Sequence, residues 1–196
     1  MNRLWRRSSG ACGELINKGF GTFVARWRVP MGFALGIAFL IFAQPTASLL
    51  IAGSLVALLG LGIRAYAAGH LDKMRSLATC GPYAYTRNPL YLGSLLIGVG
   101  LVIAGGRWFL AAAFIVFFIF VYWPVMRREE AGLLKQYGKK YEEYAAAVPL
   151  FFPHRKSAKA RGEKFQWRRY QRNREYEAAF GYLAGVLFLA LKILLR

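Results

Sequence analysis

The stretch GPYAYTRNPLYLG, Gly81 to Gly93, sets a guanidinium, three phenol rings, two glycines and two prolines directly ahead of an apolar run. Arg87 offers a fixed positive charge on a planar fork that suits a carboxylate or a phosphate. Gly81-Pro82 is a turn signal. Pro89 steers Asn88 away from helical backbone, while Asn is a good N-cap and Pro fits the first helical position. A helix is therefore predicted to start at Pro89, with the Asn88 side chain accepting from a backbone N–H near Leu90 or Tyr91. The uncapped N–H groups and positive dipole end of such a helix attract anions. The rings of Tyr83, Tyr85 and Tyr91 suit interfacial anchoring and equally suit a cationic or aromatic ligand held by ring-face contact. The motif by itself leaves both open.

A second constellation is MRREEAGLLKQYGKKYEEYAAAVPLFFP, Met126 to Pro153. Glu129 and Glu130 lie just past the apolar part of a helix. Beside Arg127 and Arg128 they can form a solvated ion-pair face. Brought near Arg87, they complete a site that offers one ligand an anion-binding group, rings and carboxylates. S-adenosylmethionine, a zwitterionic amino acid joined to a cationic sulfur and an adenosine, has that combination of groups. His70, in GHLDK, is on the same side as the motif and can assist a proton transfer, although a surface or interface place is the expectation for both His70 and His154. Cys12 and Cys80 form neither a disulfide framework nor a zinc pattern. No metal is expected.

The elements that must position these residues are apolar helices. Of the 196 residues 57% are hydrophobic and 18% charged, with a net charge of +18. Apolar and strongly basic together point to a membrane protein with basic loops rather than a soluble nucleic-acid binder. A bilayer span needs roughly 20 apolar residues. Five stretches qualify or come close: Val29–Ala43, Ala47–Ala68, Pro89–Ala104, Trp108–Val125 and Ala178–Leu195. The expected fold is an all-α membrane bundle of four to five transmembrane helices, in one domain over 1–196. Its parts are a first hairpin (28–68), the motifs with a second hairpin (69–153), a basic juxtamembrane linker (154–177) and a C-terminal membrane helix (178–196), which crosses the bilayer or lies along its surface. No cleavable signal peptide is expected, since no apolar run follows the N-terminal arginines before Val29.

Short connections make the first two pairs antiparallel hairpins, so residues 1–28, 64–88 and 126–175 fall on one side. These segments hold 24 of the 27 Lys and Arg, which makes that side cytoplasmic by the positive-inside rule. The basic run through residues 154–174 is expected to meet anionic lipid headgroups, at about 1 kcal/mol per cation near the surface.

The two motifs together resemble the isoprenylcysteine carboxyl methyltransferase and phospholipid methyltransferase superfamily, whose members carry G-P-Y-x-Y-x-R-H-P-x-Y-x-G followed by E-E and F-G-x-x-Y-x-x-Y-x-x-x-V-P. The resemblance runs from about Arg64 to Pro153. Gly81, Pro82 and Tyr83 fall on the opening triad, Arg87, Pro89, Tyr91 and Gly93 on the core, and Glu129 and Glu130 on the acidic pair. Tyr137 stands where Phe is usual, before Gly138, and Tyr141, Tyr144, Val148 and Pro149 complete the second motif. Asn88 stands where the family has His, which removes a titratable group; the Arg usual a few residues before the acidic pair is replaced by Val125 and Met126.

The resemblance implies an integral-membrane, S-adenosylmethionine-dependent methyltransferase with a cytosol-facing pocket built by loops and a lipophilic acceptor entering from the bilayer. Arg87 and Glu130 are the implied catalytic residues. Gly81, Pro82, Tyr83, Arg87, Asn88, Tyr91, Glu129 and Glu130 are the implied cofactor-binding set. A prokaryotic inner membrane and a small lipophilic or lipid acceptor, methylated at O, N or S, are expected, with no nucleic acid among the partners. A sterol-reductase-like NADPH oxidoreductase shares a distant Arg-His-x-x-Tyr pattern, but the G-P-Y opening and V-P close fit it less well. A non-enzymatic binder of anionic lipid would suit the basic linker alone.

Cysteines introduced at Ser76 and Ser157 are expected to label with a membrane-impermeant maleimide from the same face. Labelling from opposite faces would contradict the topology.

Overall fold

The computed structural model describes residues 30–72, 76–153 and 164–195. The N-terminal basic segment, His154 and Ser157 lie outside them. The described residues form helices and no strand. α1 spans Pro30–Phe42, α2 Ala47–His70, α3 Pro89–Gly105, α4 Trp108–Tyr137, α5 Lys139–Ala147, α6 Trp167–Arg172 and α7 Tyr176–Leu194, with a 3-10 turn at Gly81–Ala84 between α2 and α3.

Three of these helices, α2, α4 and α7, are long and apolar enough to cross a membrane. α1 and α3 are apolar and shorter. With 17 residues, α3 covers roughly 25 Å at about 1.5 Å per residue. The molecule is thus a membrane helical bundle. Its outer faces are apolar: Ile51, Leu55 and Leu58 on α2, and Phe180, Leu183, Leu187 and Leu191 on α7, are exposed. The i, i+4 spacing of the α7 leucines marks the lipid-facing side, and the same helix seals the core with buried Leu189.

α2 and α3 pack most closely, and the reason is small residues. A Cβ on Gly100 would stand 2.4 Å from the Gly53 carbonyl oxygen and 2.7 Å from the Ala57 nitrogen, and one on Gly60 would stand 2.6 Å from the Gly93 carbonyl oxygen. Gly53 and Gly60 are seven apart on α2, as are Gly93 and Gly100 on α3, so two backbone-to-backbone contacts recur along one seam. In lipid, where apolar side chains gain little by leaving their surroundings, such close approach is a main source of helix association.

The two hairpin turns meet at one end. The Gln44 N–H donates to the Gly105 carbonyl at 2.8 Å. Gly106 takes a left-handed φ of 66°, where a Cβ would lie 2.6 Å from the Gln44 carbonyl oxygen. Ala43, Ala104, Leu110 and Leu189 form the core there. Residues 64–72, 76–88, 126–153 and 164–175 gather at the opposite end. α7 reaches both ends. Glu175, just ahead of it, pairs with Arg64, and Lys192 near its close donates to the carbonyls of Leu40 and Ile41 at 2.9 and 3.0 Å. It runs the length of the bundle rather than across one end.

α4 continues well past its apolar part. Hydropathy predicts an end near Val125, but the helix carries on to Tyr137. Gly138, with φ 52° and ψ −127°, then reverses the chain into α5. Tyr141, Tyr144 and Val148 are buried together there.

Gly100→Ala is expected to lower stability in detergent by about 1–3 kcal/mol, the usual cost of overpacking. Gly62→Ala, with nothing within 4 Å of the added methyl, is expected to be neutral or slightly stabilising. Thermal unfolding of both variants checks the seam.

Candidate active site

The motif around Arg87 is held by its own backbone. Gly81 takes φ 58°, and a Cβ there would stand 2.7 Å from the His70 ring. The Pro82 carbonyl accepts from the N–H groups of Tyr85 and Thr86 at 3.2 and 3.3 Å. Gly81 and Pro82 therefore shape the turn, and neither lines the cleft. His70 is buried, with Nδ1 at 2.9 Å from the Tyr66 carbonyl and its ring edge-on to Tyr66 and Phe165. It is packed inside the joint between α2 and the segment before α6 rather than at a surface.

Three consecutive residues then dock on three consecutive carbonyls. Buried Thr86 donates its hydroxyl to Phe151 at 2.7 Å, the Arg87 N–H donates to Pro149 at 2.9 Å, and the Asn88 amide donates to Leu150 at 3.0 Å. This corrects the expected cap. Asn88 has ψ 56° rather than the extended value of a normal N-cap, and its side chain makes no cap bond. The Leu150 carbonyl would otherwise lack a strong donor, and the amide NH2 answers that demand. Pro89 does start α3, and the first N–H groups of that helix stay without a side-chain cap.

A cleft of about 700 Å³ opens at this end of the bundle. Tyr83, Arg87, Asn88, Tyr91, Glu129 and Glu130 all line it, so six of the eight residues singled out in the sequence share one space. Arg87 donates to Glu130 and reaches the Tyr141 hydroxyl at 3.3 Å. Glu130 also accepts from Arg127 at 2.9 Å. Glu129 accepts from the Tyr91 hydroxyl at 2.7 Å, and no ion pair of Glu129 is seen among the described residues. The Arg87 Nε is buried without an acceptor among the described residues. Tyr85 is half exposed and turns away.

Burial pushes the phenols up. Tyr83 and Tyr144 are raised far above 10, first by desolvation and then by a neighbouring phenol, to which Glu175 and Glu129 add at Tyr83 and which Arg87 opposes at Tyr144. Tyr141 is raised too, chiefly by desolvation, against the opposing hydrogen bond from Arg87. These groups are hydrogen-bond donors rather than bases at neutral pH. The Tyr144 hydroxyl donates to the Tyr83 carbonyl at 2.7 Å, which ties α5 to the motif.

The sequence reading missed the opposite wall of the cleft, made by Arg64, Asp72 and Glu175. Arg169 and Arg172, assigned to lipid headgroups, pair with Asp72 at 3.4 and 2.8 Å. An arginine inside an apolar span was a visible signal. Glu175, at the end of a basic run, was a weaker one.

A family model described as phospholipid methyltransferase matches residues 32–140, more than half of the chain. The chain belongs to the phospholipid methyltransferase family. Membership supports methyl transfer as the reaction class and the membrane as its setting. Among curated proteins it is similar to the nickel-cobalt-cadmium resistance protein NccN of Alcaligenes xylosoxydans xylosoxydans, with 36% identity over 41% of this chain and 38% of that one. It is also similar to the cobalt-zinc-cadmium resistance protein CzcN of Cupriavidus metallidurans, with 32% identity over 65% of this chain and 62% of that one. The chain thus spans less than two thirds of the length of either relative. No solved structure matches.

Asn88→Asp separates two roles. Asp is a good N-cap, so a capping residue would tolerate it; a donor to Leu150 would not, since a carboxylate would face a carbonyl oxygen. We expect Asp to cost about 1–3 kcal/mol, Ala about 1 kcal/mol, and His, with a ring N–H to donate, little. Thermal unfolding ranks them. The raised phenols add stability that is fully present below pH 10 and is lost as the pH rises further, so the melting temperature should fall as the pH climbs above 10.

Proposed function

We propose that the protein is an S-adenosylmethionine-dependent methyltransferase acting on a lipophilic acceptor at the membrane. The observation that carries this reading is the single cleft at the end of an apolar bundle where Arg87, Glu129 and Glu130, separated by some forty positions, meet the open start of α3.

The residues present fit the cofactor. Arg87 Nε is a buried donor with no acceptor among the described residues, and with the uncapped N–H groups of α3 it suits a carboxylate. Glu129, paired among the described residues with a phenol, suits an ammonium or a ribose hydroxyl. Tyr83 and Tyr91 offer rings. The bound cofactor supplies an electrophilic methyl group on a cationic sulfur.

The chain's own task is then placement. Arg87 holds Glu130 at one point of the cleft, and Tyr91 holds Glu129 at another. The clasp of residues 86–88 on 149–151 fixes both to α5. Such positioning is the main contribution a protein makes to a displacement that needs no covalent help. With Asn88 in place of a histidine and the buried phenols held neutral, the bases this wall offers are carboxylates, which are weak ones, and Glu130 is already held by Arg87. The acceptor is expected to arrive with its nucleophile already ionised or unprotonated.

The basic residues gathered at the cleft end support a cytoplasm-facing site in an inner membrane. Exposed Arg168 remains for anionic lipid, and so does Arg174 beyond its loose 3.8 Å contact with exposed Glu177. The relatives' names suggest metal resistance as the setting. Three of the four cleft carboxylates are already ion-paired, Glu130 to Arg87, Glu175 to Arg64 and Asp72 to Arg172. We therefore read the methylated product, rather than metal held in the cleft, as the connection.

Calorimetric titration of the purified full chain with S-adenosylhomocysteine tests the reading. Wild type should bind. Arg87→Ala and Glu130→Ala should each weaken binding about ten- to a hundredfold. Because each leaves the other charge uncompensated, the double variant should lose less than the product of the two. Binding of NADPH instead would favour a reductase.

A further inference from the structure

The second wall of the cleft takes its charges from outside both motifs and, in Glu175, from beyond the stretch that matches the family. Arg64 projects from α2 near the cleft end. Its Nε and Nη2 donate to one carboxylate oxygen of Glu175 at 2.9 and 2.7 Å. Its Nη1 donates to the Ser94 hydroxyl and reaches the Leu90 carbonyl at 3.5 Å. Ser94 donates to that same carbonyl at 3.0 Å. Arg64 therefore grips the first turn of α3, the turn that carries Tyr91 to Glu129. Gly93 makes room for it, since a Cβ there would stand 2.5 Å from the Arg64 Cγ.

The pair is enclosed, with side-chain exposures of 23% for Arg64 and 8% for Glu175. A buried ion pair is a poor source of net stability, but losing one member leaves an uncompensated charge. Nor is Glu175 needed to bring its own segment here. The Gln166 N–H donates to the Gly69 carbonyl at 3.0 Å, and the Asn173 amide donates to the carbonyls of Ala68 and Leu71, both at 3.0 Å. α6 is fastened to the end of α2 by neutral hydrogen bonds, with Asp72 adding its two arginines. The charge of Glu175 is thus free for another task. Tyr83 lies within electrostatic reach of Arg64 and Glu175, and also of Glu129.

Resting on the methyltransferase reading above, we propose that Glu175 is a positioning residue of the site, holding Arg64 against the first turn of α3 so that Tyr91, Glu129 and the open helix start keep their places. The same turn is clasped from the other side by the bonds from residues 86–88 to 149–151. Without the Glu175 charge, the Arg64 guanidinium turns toward the remaining carboxylates of the cleft. It then competes for Glu129, the carboxylate that carries no ion pair among the described residues.

The test uses the full-length protein in detergent, with S-adenosylhomocysteine as the probe and thermal unfolding measured in parallel. Glu175→Gln should weaken binding by about tenfold at a temperature well below unfolding. Glu175→Asp, which keeps the charge, should recover most of the affinity. The exchange Arg64→Glu with Glu175→Arg restores an ion pair between α2 and the start of α7, so it should recover thermal stability. It should not recover affinity, because the cation no longer reaches Leu90 and Ser94. Wild-type affinity in Glu175→Gln, or an exchange that restores affinity along with stability, overturns the proposal and leaves the pair as a tie between helices. Should Glu175→Gln fail to fold, the exchange decides by the same criterion. No binding by wild type overturns the methyltransferase reading itself, and this proposal with it.

Discussion

The seam between α2 and α3 is the constraint on which the site depends. Two glycines on each helix, seven residues apart, bring the backbones so close that a methyl group at Gly53, Gly60, Gly93 or Gly100 would stand under 3 Å from the facing chain. Lipid tails are as apolar as leucine, so a bundle in a bilayer cannot rely on hiding apolar surface to choose its partners. Contact between small residues chooses them instead. Once the seam is set, the end of α2 and the start of α3 are fixed side by side. Arg64 lies one helical turn beyond Gly60 and passes over Gly93, which places its guanidinium on the first turn of α3. The chemistry of the cleft therefore inherits its geometry from glycines buried well below it.

The site is assembled from five parts of the chain that are remote in sequence, the first being the end of α2 and the residues just past it, with Arg64 and Asp72. The motif contributes Arg87 and Tyr91, the end of α4 contributes Glu129 and Glu130, α5 contributes Tyr141 and Tyr144, and the start of α7 contributes Glu175. Each joint uses a charged or phenolic donor against a carboxylate or a carbonyl, with partners 38 to 111 positions apart. In a strongly basic protein the few carboxylates are informative. Four of the nine acidic residues line this one cleft.

Helix placement was legible because apolar runs and proline-glycine punctuation are local signals. The starts of α2, α3 and α4 fell at Ala47, Pro89 and Trp108, as read. The extension of α4 past Val125 was hidden from hydropathy, since the charged run Arg127 to Glu130 ends the apolar stretch, yet these residues and most of those up to Gln136 are good helix formers, Gly132 apart. Asn88 was misread for a different reason. The capping rule weighs only the next few residues, whereas the carbonyl that takes its amide lies 62 positions away. Arg64 was seen as a charge near a span end, but its partner lies 111 positions on. The glycine seam was open to inspection in the spacing of seven and went unread. Of the basic run before α7, charge alone suggested lipid; only the fold shows two of its arginines turned to Asp72.

α4 is one continuous helix from the membrane-spanning stretch to the two carboxylates, with Pro124 inside it. A continuous helix converts sequence position into rotation and height, about 100° and 1.5 Å for each residue. Adding or removing a single residue between Tyr122 and Glu129 would swing both acids out of the cleft while leaving every side chain of the motif intact. The interval between apolar run and acidic pair is therefore as much a part of the site as the acids themselves. Between Tyr122 and Glu129, a change of residue is thus a smaller disturbance to the site than a change of length.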